Sequence, residues 1–113
     1  MSFSSELIKG TLKTIVLKLL KDNKKMYGYE ITQKVRELTS EKIQLTEGAL
    51  YPTLHALEAE GLLRTEVEYQ GKRMRKYYSL SPSGVRKSHE RISELTDFIN
   101  TLSFLLDLKT GHA

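Results

Sequence analysis

Apolar residues recur at intervals of three and four through Leu7, Ile8, Leu12, Ile15, Val16, Leu19 and Leu20. That spacing predicts one amphipathic helix, which Ser4 or Ser5 can cap with Glu6 in its first turn. The polar stretch KDNKKMYG (residues 21–28) ends it. A second helix is expected after Gly28, with Ile31, Val35 and Leu38 as its apolar stripe. TSEKIQLT (residues 39–46) reads as a connector, and Thr46 as the cap of a third helix. Leu50, Leu54 and Leu57 form the buried line of that helix, and Gly61 its stop.

Past Gly61 the period changes to two. Leu63, Thr65, Val67 and Tyr69 fall on one side of a strand, and Arg64, Glu66 and Glu68 on the other. QGKR is turn-like and MRKYYSL alternates again, so residues 62–80 read as a β-hairpin. SPSG then punctuates, with Pro82 and Ser83 opening a last helix. The expected fold class is mainly α with a small β-hairpin. Its element order is that of a winged helix-turn-helix, residues 1–82, followed by a C-terminal dimerisation helix in residues 83–113.

The last helix carries a heptad-like seam. Val85, Ile92, Leu95, Ile99, Leu102 and Leu106 are separated by seven, three, four, three and four, with Ser88 interrupting and Phe98 and Leu105 widening the stripe. A fold-back on its own domain is one reading. The stripe spans roughly 20 residues, about 30 Å of helix, which favours packing against a second copy. The length of the first helix makes it a second contributor to that interface.

Composition narrows the class. With 113 residues and no cysteine, the chain suits one compact domain without disulfides or thiolate metal sites. No apolar run approaches the ~20 residues of a membrane helix, and the N-terminus lacks a signal-peptide pattern, so a cytoplasmic location is expected. His55, His89 and His112 show no metal-ligand spacing, and no catalytic motif is visible, so neither metal, cofactor nor enzymatic activity is expected.

The formal net charge is +4, and its placement says more than its size. Lys72, Arg73, Arg75 and Lys76 fall within five positions, whereas residues 46–61 hold glutamates and no Lys or Arg. Strand alternation puts Arg73, Arg75, Tyr77 and Ser79 on one face of the hairpin, the arginines opposite Glu66 and Glu68. Met74, Tyr78 and Leu80 are expected to pack inward, with Lys76 snorkelling to the edge. Lys72 and Arg73 at the tip rank first for contact with an anionic partner, Arg75 second and Lys76 last.

With its leucines inward, the third helix turns Gly48, Pro52, His55, Ala56 and Ala59 outward, a small and nearly uncharged face. Such a face suits close approach to a DNA groove, docking by its N-terminal portion (Thr46, Gly48, Ala49). Tyr51 either reaches a phosphate or flanks the core. Tyr29 either packs between helices or reaches a phosphate, and Lys34 can sit near the backbone.

YGYEI (Tyr27 to Ile31), LTEGALYPTLHALEAEGLL (Leu45 to Leu63) and GKRMRKYYSLSPSG (Gly71 to Gly84), in this order and spacing, resemble the PadR family of bacterial transcriptional regulators. The likeness covers most of the chain, and the single tail helix is similar to the shorter members. Tyr27 stands where the family usually has histidine. The resemblance implies a homodimeric repressor on double-stranded inverted-repeat operator DNA, contacted through helix 46–60 and wing 64–78. It also implies a dimer cleft able to take a small apolar or aromatic effector. Phe98, with Phe104 and Phe3, is either part of that site or plain interface core. The competing reading is a winged-helix module whose basic wing binds an acidic protein.

Overall fold

Thr11 breaks the first helical run. Its amide and its hydroxyl both donate to the carbonyl of Ile8, at 3.0 and 2.9 Å, so the chain turns where one continuous helix was expected. In the computed structural model, which describes residues 3–107, α1 (Ser5–Lys9) and α2 (Leu12–Asp22) are therefore separate. Ser4 caps α1, accepting from the Leu7 amide. The apolar spacing stays in phase across the break, which hides it from a periodicity argument. α2 is buried around most of its circumference, Leu17 included, and forms the centre of the core.

β1 (Met26–Tyr27) follows, inside the stretch expected only to end a helix. It leads into α3 (Gly28–Leu38), where Ile31 and Val35 are buried but Leu38 is 67% exposed, not part of the core stripe. α4 (Glu47–Ala59) begins as expected, with the Thr46 hydroxyl accepting from the Ala49 amide at 3.1 Å. Leu50, Leu54 and Leu57 are fully buried, and the helix continues through Pro52.

β2 (Leu63–Gln70) and β3 (Arg73–Leu80) pair antiparallel, from Leu63 opposite Leu80 to Gln70 opposite Arg73. Gly71 opens the two-residue turn at φ 65°, the left-handed conformation that such turns require at this position. β1 pairs with β3 through Met26–Tyr78 and Tyr27–Tyr77, giving the sheet order β1-β3-β2. Only the base of the hairpin reaches the core, through Leu63 and Tyr78. Met74 is 59% exposed, not packed inward, because its pair partner Tyr69 lies near the tip, beyond the helices.

α5 (Pro82–Leu105) starts locked to the α4–β2 corner. The Ser81 hydroxyl accepts from the Gly84 amide and donates to the Gly61 carbonyl at 2.6 Å, and Ser83 donates to that carbonyl at 2.9 Å. Gly84 lies so close that a Cβ there would sit 2.0 Å from the Leu62 carbonyl oxygen. Ser88, the interruption in the seam, is fully buried, and its small side chain suits α5 to the close crossing with α2. One turn on, Arg91 donates to Thr14 of α2 at 3.4 Å. Over 24 residues, about 36 Å, α5 passes from this packed start to an exposed end.

Candidate nucleic-acid interface

The start of α3, the outer face of α4 and the wing converge on one side of the molecule. β1 is only two residues long, so it covers β3 at Tyr77 and Tyr78 and leaves the edge of β3 from Arg73 to Lys76 uncovered. Along that edge lies a notch of about 280 Å³, lined by Tyr29 of α3, Tyr51 and His55 of α4, and Arg75 and Lys76 of the wing. Arg73, Arg75 and Tyr29 also line an adjoining cleft.

Tyr51 is the hinge of this surface. Its hydroxyl lies against Gly28, where a Cβ would come within 2.5 Å, so the glycine makes room for the Tyr51 ring in this position. The ring is tilted against His55 at 6.4 Å. Burial, then the nearby Glu47 carboxylate, pushes the Tyr51 hydroxyl above its ordinary pKa. It stays protonated, and so a donor, at neutral pH. Tyr29 is 56% exposed, so of its two expected roles packing between helices is not the one observed. Gly48, Ala49, Pro52 and Ala59 are exposed, whereas Ala56 is half-buried. Lys34, a half-buried residue of α3, lines neither the notch nor the cleft.

The wing cations differ from one another. Among the described residues Lys72, Arg73 and Arg75 form no ion pair, while Lys76 lies 3.8 Å from Glu58 of α4 and over the Tyr78 ring. Arg75 stands opposite Glu68, but Arg73 stands opposite Gln70 and Glu66 opposite Tyr77. Neither expected arginine–glutamate pair forms: the register keeps Arg73 away from Glu66, and Glu68, though opposite Arg75, binds Lys25 together with Glu66. Arg75 instead lies over the Tyr27 ring, 4.5 Å from its centroid. Glu60 is likewise occupied, by Lys13 at 2.8 Å. The residue pattern does not single out Lys25, Tyr27 or Glu58 for this surface; the departure at Tyr27 is their one visible signal.

The dimerisation candidates run along α5. Ile92 and Leu95 are half-buried and, with Ile99, form one wall of an apolar groove of about 260 Å³ against α2 and α3. Leu38 and Ile43 form part of the opposite wall, which explains the exposure of Leu38. Val85, Phe98, Ile99, Leu102, Leu105 and Leu106 are exposed by 38 to 75%, as are Phe3 and Leu7 at the N-terminus. Phe98 does not line the groove. His55 and His89 are far apart in the fold's elements, His112 lies outside the described residues, and no cluster suited to a metal ion occurs among the described residues. No helix among them is long and apolar enough to cross a membrane.

Helices α3 and α4, with the wing behind them and a small three-stranded sheet, define a winged helix-turn-helix protein. Residues 16–90 match the family model of the transcriptional regulator PadR-like family, and the chain belongs to that family. It is 35% identical over 79 residues to transcriptional regulator Rv3488 of Mycobacterium tuberculosis, covering 70% of each chain. A transcriptional regulator from Clostridium thermocellum superposes with a TM-score of 0.78 at 28% identity, covering 94% of this chain and all of the other. A PadR family transcriptional regulator from Eggerthella lenta gives 0.75 at 31% identity, over 92% of this chain and 88% of that one. The protein is accordingly a transcriptional regulator and not an enzyme.

Proposed function

We propose that this regulator binds double-stranded DNA as a homodimeric repressor of an inverted-repeat operator. The supporting observation is the notch at the uncovered edge of β3, where Arg75 meets Tyr51 and His55 of α4, with Arg73 in the adjoining cleft and neither arginine ion-paired among the described residues. Gly48, Ala49 and Pro52 line a separate hollow with Phe3 and Leu12. In this reading α4 enters the major groove through Thr46, Gly48, Ala49 and Pro52, with His55 and Tyr51 beside the backbone. Lys72, Arg73 and Arg75 meet phosphates, and Tyr29 joins them. Lys76 contributes least, since Glu58 already faces it. Few side chains here can read base edges, so shape supplies much of the specificity.

Residues 1–82 serve as the DNA-binding unit and α5 as the dimerisation helix, the end of the tail, residues 108–113, lying outside the described residues. The reading is supported by the row of exposed apolar side chains along the end of α5, Phe98, Ile99, Leu102, Leu105 and Leu106, of the kind that marks an interaction surface. A small apolar or aromatic effector would take the groove beside Ile92, Leu95 and Ile99, with Phe98 just outside it.

The test is retention of a duplex from the protein's own promoter, measured over a range of salt. Binding that weakens linearly with log salt supports the reading. No retention of that duplex even at low salt, or retention indifferent to loss of Lys72 and Arg73, refutes it.

A further inference from the structure

Arg75 stands directly across from Glu68 on the same face of the hairpin. A cross-strand ion pair is the expected outcome there, and it would spend the arginine inside the wing. The fold prevents it. Lys25, at the entrance to β1, reaches across the sheet and binds both Glu68 and Glu66, the latter at 3.3 Å. Its ammonium lies over the Tyr77 ring at 5.0 Å, Tyr77 meets Tyr27 edge-on at 5.4 Å, and the Arg75 guanidinium covers the Tyr27 ring at 4.5 Å. Lys25, Tyr77, Tyr27 and Arg75 thus form one row across the sheet.

The row separates two charges that sequence alone would pair. Both wing carboxylates are answered by a lysine, and these two acids, Glu68 first, hold the Lys25 ammonium above its ordinary pKa. Arg75 has no carboxylate among the described residues, is half-buried, and sits on the edge of β3 that β1 leaves uncovered. A guanidinium can stack one face on an aromatic ring while its edge donates two parallel hydrogen bonds to a phosphate, and an ammonium cannot do both.

We propose that Lys25 and Tyr27 are positioning residues that keep Arg75 free of the wing's own acids and aimed at a backbone phosphodiester of the bound duplex. The proposal rests on the DNA-binding reading and adds to it a division of labour. Lys72 and Arg73 are exposed cations at the tip with no ion pair among the described residues, whereas Arg75 is held on the Tyr27 ring before DNA arrives and loses less freedom on binding.

The experiment is a set of mutant cycles in the full chain, read by duplex affinity and its salt dependence. Arg75→Ala should weaken binding roughly tenfold, the scale of one charge-assisted hydrogen bond to a phosphate. It should also lower the salt slope by about 0.9 for each phosphate left without its cation. Tyr27→Leu should weaken binding nearly as much, Tyr27→Phe almost not at all, and Tyr27→Leu should add little to Arg75→Ala. Lys25→Met should also weaken binding, through Glu68 capturing Arg75. Adding Glu68→Gln should restore affinity in that background while changing the parent protein little. Effects of Tyr27→Leu and Arg75→Ala that multiply, or a Lys25→Met defect that Glu68→Gln leaves in place, would overturn the proposal. If Tyr27→Leu does not fold, the Lys25–Glu68 cycle decides alone. Duplex binding by the parent protein with failed cycles removes this inference only; no binding by the parent protein removes the DNA reading itself.

Discussion

The hydroxyl of Tyr51 occupies the space that a Cβ on Gly28 would need, 2.5 Å from it. Gly28→Ala therefore forces the ring to move, and the direction open to it is outward, since Tyr51 is already 36% exposed. The ring is the far end of a flexible side chain, and alanine at this non-left-handed position also gains about 0.4–1 kcal/mol by restricting the unfolded chain. Little change in melting temperature is expected, together with a clear loss of duplex affinity. Thermal melts beside binding titrations check this, and a large fall in melting temperature would refute the outward swing.

Gly84 presents the opposite case. A Cβ there would meet the Leu62 carbonyl oxygen at 2.0 Å, and backbone cannot swing aside. Gly84→Ala should cost at least about 2 kcal/mol, in the range of overpacked cores. For a domain of this size that is a fall in melting temperature of roughly 8–16 °C. Ser81→Ala removes the helix cap and one donor to Gly61 and should cost about 1 kcal/mol. Ser83→Ala, which leaves Ser81 on the same carbonyl, should cost less.

The exposed half of α5 leads to a prediction about assembly. Leu102→Glu places a charge in the apolar surface formed with Phe98, Ile99 and Leu106. In a homodimer built on this surface, the substitution should yield a monomer by sedimentation or light scattering. Duplex affinity should drop with it, because two half-sites are no longer read together. The winged domain itself should melt nearly as before, since Leu102 is not part of its core. A parent protein that is already monomeric at micromolar concentration would contradict the dimer.

Burial first, and then the Glu58 carboxylate, raises the Tyr78 hydroxyl pKa above its ordinary value of about 10. The unfolded chain then loses this proton at lower pH than the folded one. The contribution is fully present below about pH 10 and is lost as pH rises from there through the folded pKa. Stability should fall as pH rises above about 10, and Tyr78→Phe should flatten that fall. Denaturant unfolding at pH 8, 10 and 11 tests it; an unchanged pH dependence in the variant would refute the assignment.

Much of the fold was legible in the chain. The hairpin turn at Gly71, the Thr46 cap and the buried leucine line of α4 follow from local rules, namely a positive φ, an orphan amide and a period of 3.6. The break at Thr11 was not legible, because the apolar spacing stays in phase across it. Nor was β1, since two residues carry no period and pair only because β3 passes beside them. Of the candidate site, Tyr29, Tyr51, His55, Arg73, Arg75 and Lys76 do come together around one notch and cleft, whereas Lys34 and Lys72 line neither and Thr46, Gly48, Ala49 and Pro52 line a separate hollow with Phe3 and Leu12.

Sequence alone determined the order of the main elements, the place of the hairpin turn and the membership of the PadR-like family, whereas the register of the wing put only one of the two arginines opposite a glutamate. The first three depend on neighbours along the chain, or on motifs read in order. Tertiary structure decided which charges meet. Alternation brought Glu68 opposite Arg75, but a lysine forty-three positions away in the chain took the glutamate. An ion pair is settled by distance in space among all available partners, and strand periodicity counts only those on the adjoining strand.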